Sequence, residues 1–149
     1  MLSNSEQPSG ETHGAGLILA LQRTTHATLR LLAVRLAEEN LSPSEINALA
    51  NLADGRVRSV GELAAAAGVR PTTLTSLLDR LAKRGYLTRE LDPADRRSFQ
   101  LHLTPAGAPA AASALAAMTE IEREAASSLT EADLAGFTNV LRALQEVSR

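Results

Sequence analysis

Cysteine and tryptophan are absent from this 149-residue chain, lysine occurs once (Lys83), and the aromatic rings amount to two Phe and one Tyr. Without cysteine there is no disulfide framework, no thiolate metal site and no thiol-based redox sensing. Without tryptophan, any pocket lacks its large stacking surface. The three histidines, His13, His26 and His102, have no metal-ligand spacing, and no phosphate-binding glycine loop or nucleophile motif occurs. The chain is therefore read as no enzyme, with no cofactor and no metal. No apolar run approaches the ~20 residues of a membrane span. Met1–Gly16 lacks the basic start and apolar centre of a secretory signal, so a cytoplasmic protein is expected.

What is present is an uneven distribution of charge. The whole chain carries a net charge of −2, yet residues 56–97 hold nine cations against five carboxylates. The flanks, 1–55 and 98–149, each hold three against six. A central basic module between acidic ends is the footprint of a surface that meets phosphates.

The same module has the clearest local signals. Ser59 and Glu62 make an S-x-x-E capping box, which starts a helix at Val60, and Gly68 stops it. Pro71 suits the first position of the next helix, where its missing N–H is not needed. Leu74, Leu77, Leu78 and Leu81 then follow the spacing of one helix face and require a core. The opposite face holds Thr72, Ser76, Asp79 and Lys83, flanked by Thr73, Thr75 and Arg80. Small hydroxyls towards its start and cations towards its end suit a helix lying in a DNA major groove: short side chains approach base edges, and Lys83, Arg80 and Arg84 reach phosphates. Arg70 sits at the N-cap, where Ser, Thr, Asp or Asn is preferred, which suggests that its long side chain serves another purpose. After Gly85 the period changes. Tyr86–Leu91 and Ser98–Leu103 read as two strands, joined by the polar turn Asp92-Pro93-Ala94-Asp95-Arg96-Arg97. Helix, turn, helix and an arginine-tipped hairpin make a winged helix-turn-helix.

Around this module the chain is helical. Leu17 to about Glu39 forms a long helix apolar on more than one side, since Ile18, Leu31 and Val34 widen the stripe traced by Leu21, Leu29, Leu32 and Leu36. Such a helix needs more than one packing partner, and a second chain is the expected extra one. Ser42-Pro43-Ser44-Glu45 caps a helix running to Asp54, and Val57 is expected to add a short strand to the wing. Thr104-Pro105 opens an alanine-dense helix to about Ser128. Thr130 and Asp133 cap the last helix, which carries Leu134, Phe137, Val140, Leu141 and Leu144. Residues 1–16 read as a mobile tail. The fold class is thus mainly α with a small β-hairpin wing (α+β): a winged-helix lobe, 41–103, between helices 17–40 and 104–149.

Glu62-Leu63-Ala64, Leu74 through Leu81, Lys83-Arg84-Gly85-Tyr86-Leu87, Asp95-Arg96-Arg97 and Leu103-Thr104-Pro105-Ala106-Gly107 together resemble the MarR family of bacterial transcription regulators, over residues 15 to 148. The "DRR" wing followed by "LTPAG" is the more specific part. The resemblance implies that the terminal helices interleave with a second subunit's to build a homodimer. It implies that Arg97, beside Arg96, is the minor-groove arginine of the wing, and that Asp95 orients a nearby arginine. It also implies a ligand site for small aromatic anions between the DNA-binding lobe and the dimer helices, for which Arg23, His26 and Arg30 on the first helix are the candidates.

The residues expected at DNA are therefore Arg70, Thr72, Thr73, Thr75, Ser76, Arg80, Lys83, Arg84, Arg96 and Arg97. The function expected is a homodimeric repressor on a pseudo-palindromic operator, released by a small anion. Two other readings stand beside it: a sequence-tolerant architectural DNA-binding protein, and a winged-helix protein–protein module.

Overall fold

The computed structural model describes residues 14–148. The tail reading for residues 1–16 and the placement of His13 fall largely or wholly outside that range. Ten elements follow one another: α1 (Gly14–Arg35), a 3-10 turn (Ala37–Glu39), α2 (Pro43–Leu52), β1 (Arg58–Ser59), α3 (Val60–Ala67), α4 (Pro71–Lys83), β2 (Leu87–Leu91), β3 (Phe99–Leu103), α5 (Gly107–Ala126) and α6 (Glu131–Val147).

Capping chemistry sets most of the starts. Ser42, Ser59 and Thr130 each accept a hydrogen bond from the backbone N–H three residues on, and the carboxylates of Glu45, Glu62 and Asp133 each accept one from the cap's own N–H. Each box satisfies two of the backbone donors that a helix start leaves without partners. Thr104 does the same work for α5 one turn earlier than its regular hydrogen bonding begins: its hydroxyl oxygen accepts from Gly107 N–H at 3.0 Å. α1 starts at Gly14 and its regular part ends at Arg35, so the Leu17–Glu39 helix is shifted and closes in the 3-10 turn. Asn40 follows at φ 49, where the chain reverses into α2.

The strands form one antiparallel sheet in the order β1-β3-β2. The short strand expected at Val57 lies one residue later: Arg58 pairs with Leu101 and Ser59 with Gln100, while Val57 is exposed. In the hairpin, Leu87 faces Leu103, Arg89 faces Leu101 and Leu91 faces Phe99.

One core joins these pieces. Ile46, Leu49 and Leu52 of α2, Leu63 of α3, Leu74, Leu78 and Leu81 of α4, and Leu101 of β3 are almost wholly buried, with Ala111 and Ala114 of α5 against them. Alanine on that face brings α5 close to α2. At its start α5 lies instead on the Tyr86 backbone: a Cβ at Gly107 would stand 1.9 Å from the carbonyl oxygen of Tyr86, so no other residue fits without backbone movement.

The terminal helices are packed differently. α6 has no buried residue along its length, although it carries an apolar stripe. Phe137 is 53% exposed, and on α1 Val34 is 73% exposed.

Candidate nucleic-acid interface

α4 is the most strongly two-faced helix of the chain. Its four leucines are buried, and Thr72, Thr73, Thr75, Ser76, Asp79, Arg80 and Lys83 all face solvent. Arg70 stands at the N-cap with extended backbone and makes no side-chain capping bond, so its guanidinium is exposed at the tip of the helix. Two hydroxyls are turned inwards: Thr75 Oγ1 donates to Pro71 O (3.1 Å) and Ser76 Oγ to Thr73 O (3.3 Å). Their oxygens remain free to accept, or to turn and donate to a base edge.

The cations divide by what holds them. Arg70, Lys83, Arg96 and Arg97 are exposed and make no side-chain hydrogen bond or ion pair within the described residues. Arg80 is partly committed, since its Nε donates to Glu45 Oε1 at 3.3 Å while its side chain stays about half exposed. Burial of Glu45 pushes its carboxyl up, but the bonds from the Ser42 N–H and hydroxyl and from Arg80 outweigh this and hold it below its ordinary value.

Arg84 has a different role from the phosphate contact expected of it. Its Nη1 donates to Asn40 O at 2.7 Å and its Nη2 to Glu39 O at 2.6 Å, with Tyr86 Oη at 3.2 Å. The guanidinium also lies over the Tyr86 ring, 4.8 Å from its centroid. It therefore fastens the end of α4 to the junction between the 3-10 turn and α2. Three of the five N–H donors of the planar group are used inside the protein.

Sequence reasoning overlooked Arg89. It occupies an inward position of β2, between Leu87 and Leu91 on one pleat face, and an arginine there needs a partner. Its Nη2 donates to Asp79 Oδ1 at 2.7 Å and to Thr75 O at 3.2 Å, tying the wing to α4. An arginine among leucines at alternate strand positions was the available signal. Asp95 also differs from expectation. Its carboxylate accepts from the Arg97 backbone N–H at 3.0 Å, and its carbonyl accepts from Ser98 N–H at 2.9 Å. It shapes the backbone of the wing turn and orients no guanidinium.

Arg23, His26 and Arg30 are exposed on α1 and share one face of it. Two clefts flank the opposite face. One, of about 360 Å³, is lined by Leu21, Thr24, Thr25, Thr28 and Asn47 together with Met118 and Phe137. The other, of about 250 Å³, runs between α1 and α6 and is lined almost wholly by aliphatic side chains and Phe137. The structure therefore does not bring the three candidate ligand residues to either cleft.

Comparison with known proteins agrees with this architecture. The uncharacterised HTH-type transcriptional regulator YsmB of Bacillus subtilis is 33% identical over 87 residues, 58% of this chain and 60% of that protein, so the chain spans less than two thirds of that relative's length. S. aureus MepR in its DNA-binding conformation superposes with a TM-score of 0.80 at 17% identity, covering 89% of this chain and 98% of MepR. Bordetella bronchiseptica BpsR, whose DNA binding is regulated by 6-hydroxynicotinic acid, superposes with a TM-score of 0.73 at 22% identity, covering 93% of this chain and 98% of BpsR. At these identities the superpositions show a shared fold. The sequence model of the MarR family matches residues 39–98, the stretch that runs from the carbonyls held by Arg84 through α4 to the arginines of the wing.

Proposed function

We propose that this chain is a homodimeric transcription repressor that places α4 in the major groove and the wing in the minor groove of a pseudo-palindromic operator. The observation that carries the reading is the set of unengaged groups on one side of the lobe. Arg70, Thr72, Thr73 and Lys83 on α4, and Arg96 and Arg97 on the wing, are exposed and have no side-chain partner among the described residues. Lys83 and the arginines are positioned for phosphates, Thr72 and Ser76 for base edges.

The dimer follows from residues 17–40 and 104–149. A 17-residue helix with no buried residue, and only Leu141 and Leu144 half-buried, gains little from the rest of its own protomer that would hold it. A second copy covering Leu134, Phe137 and Val140 of α6 and Leu17, Ile18 and Val34 of α1 would give both helices a core. Two α4 helices then face successive major grooves about 34–36 Å apart. A small molecule that releases DNA would sit in the cleft between α1, α2, α5 and α6, where movement changes the spacing of the two lobes. BpsR, with the same fold, is regulated by such a molecule. That cleft contains no charged side chain.

Selection from randomised duplexes with the full chain tests the reading. Enrichment of two inverted half-sites with centres about one helical turn (~10 base pairs) apart is expected. Enrichment of a lone half-site, or protection with no preferred sequence, would favour the architectural alternative. Salicylate or 6-hydroxynicotinic acid titrated into the complex tests the cleft, and any release must be matched by weaker ligand binding in the presence of operator.

A further inference from the structure

The last pair of the wing ladder is apolar and uncovered. Leu91 faces Phe99 across the hairpin, and the two side chains are 57% and 44% exposed. Most of the chain's other exposed large hydrophobic residues lie on α1, α5 and α6, where a second protomer would cover them. The wing pair lies at the turn end of the hairpin, outside those helices, and requires a different explanation.

Its orientation is fixed. Side chains alternate across a strand, so Leu91 lies on the same pleat face as Leu87 and Arg89, and Phe99 on the face of Leu101 and Leu103. Leu87 and Leu101 are buried in the core, and Arg89 reaches Thr75 and Asp79 of α4. The Leu91–Phe99 pair is thus the outward continuation, two residues further along, of the face that packs against the reading helix. Beyond it the strands end. Asp92 N–H donates to Ser98 O at 3.0 Å, and the turn so closed carries the exposed Arg96 and Arg97. An apolar pair lies between the polar face of α4 and two free guanidinium groups.

We infer that Leu91 and Phe99 are a DNA-contacting surface that packs against the deoxyribose faces lining the minor groove, an inference that rests on the DNA-binding reading above. Three features support DNA over another protein. Arg96 and Arg97 give the patch positive flanks that complement phosphates, whereas the helical surfaces that face a second protomer lie in the acidic parts of the chain. The patch is continuous with α4 through Arg89, so any duplex that seats α4 and the wing tip passes over it. The minor-groove walls expose the C–H faces of deoxyribose, on which an apolar side chain can pack, and minor-groove binders commonly set apolar side chains beside their cations. Such a contact reads groove width and not base identity, so it adds affinity and a shape preference without neutralising any phosphate.

The test uses the full-length chain and the duplex recovered by selection, with binding measured by fluorescence anisotropy over a range of salt and with hydroxyl-radical footprinting, which reports on deoxyribose accessibility. Phe99→Ser and Leu91→Ser should each weaken binding by about tenfold at fixed salt, the effect of removing roughly half an exposed large side chain's apolar burial. Neither should change the slope of log affinity against log salt, because no phosphate contact is lost. Phe99→Ser should also expose the minor-groove sugars at the outer edge of each half-site while those beside α4 stay protected. Phe99→Leu should retain most of the affinity. Variants that melt like the wild type and bind within twofold of it, with an unchanged footprint, overturn the contact and leave the DNA-binding reading intact. Loss of the dimer on Phe99→Ser, seen by light scattering, overturns it in favour of a protein interface. Failure of the wild type to select or protect any duplex overturns the DNA-binding reading itself.

Discussion

Arg84 and Lys83 are adjacent cations at the end of α4, one bonded inside the protein and the other without a partner among the described residues, and one pair of variants separates the roles we propose for them. Arg84→Met removes two hydrogen bonds to the carbonyls of Glu39 and Asn40 and the contact with the Tyr86 ring, while keeping an aliphatic stem of similar length. Hydrogen bonds from a charged donor are each worth about 1.5–3 kcal/mol, and less where water competes. A cation over an exposed ring adds about 0.5–1 kcal/mol. The site is at the surface, and contributions that share one group do not add, so a loss of about 2 kcal/mol is expected. For a domain of this size that lowers Tm by about 4–8 °C. Lys83→Met removes a side chain with no partner among the described residues, so its effect on stability should lie within about 0.5 kcal/mol. In operator binding the order reverses. Lys83→Met should reduce the magnitude of the salt slope by about 0.9 per protomer, and Arg84→Met should leave the slope unchanged. Thermal melts must be compared at one protomer concentration, because association shifts Tm. An Arg84→Met protein that melts with the wild type and shows the shallower slope would refute the reasoning and return Arg84 to the DNA surface.

Three further outcomes are expected. Gly107→Ala places a Cβ 1.9 Å from Tyr86 O and should cost about 2–4 kcal/mol, from overpacking together with the weakened bond between Thr104 N–H and Tyr86 O, which thermal unfolding would record. Asp54 is held well below its ordinary value first by the hydrogen bonds from Arg58, then by Arg56 N–H, so its contribution is present above the unfolded carboxyl value and is lost as acid protonates it. Denaturant titrations should show stability falling from about pH 5 towards pH 2, with a gentler fall in Asp54→Asn. Phe137→Glu should put an unpaired charge on the exposed stripe of α6 and give a monomer by light scattering at micromolar concentration, and a variant that remains dimeric would remove α6 from the interface.

The parts of the fold that the sequence disclosed are those whose causes are local. Each capping box was legible because its two residues lie three apart, and the four leucines of α4 because helix period alone decides which side they face. The wing was legible from its change of period and its turn residues. What escaped depends on partners distant in the chain. Arg84 reads as one more cation in a basic stretch, and only the fold brings Glu39 and Asn40, 45 and 44 residues away, under its guanidinium. Arg89 meets Asp79 because β2 folds back along α4. Asp95 binds its own turn because an aspartate two residues before an N–H makes a local bond more readily than it reaches a mobile guanidinium. Arg23, His26 and Arg30 share a helix face, as their spacing requires, but which side of α1 meets the clefts is set by the packing of Leu32 and Leu36.

These non-local bonds also decide how movement in one part of the protein can reach another. Arg89 joins the wing to α4 through Asp79 and the Thr75 carbonyl, so the two groove-reading elements shift together. Arg84 joins the far end of α4 to the carbonyls where α1 gives way to α2. Arg35, at the end of α1, holds Glu124 of α5 through both carboxylate oxygens at 3.0 and 2.9 Å. Gly107 lets the start of α5 lie directly on the Tyr86 backbone, beside the same Arg84. Beyond the core packing of α2 against α5, Arg84 and Gly107 thus tie the lobe to the helices proposed to form the dimer, and neither lies among the groups proposed to meet DNA. A change in the packing of α1 against α5 would tilt α4 and the wing as one body. The separation of the two reading helices would then change while each kept its own shape. On the proposed reading, affinity for a two-half-site operator would depend on that spacing, and Arg35, Arg84 and Gly107 would set it without touching the groups proposed to meet bases.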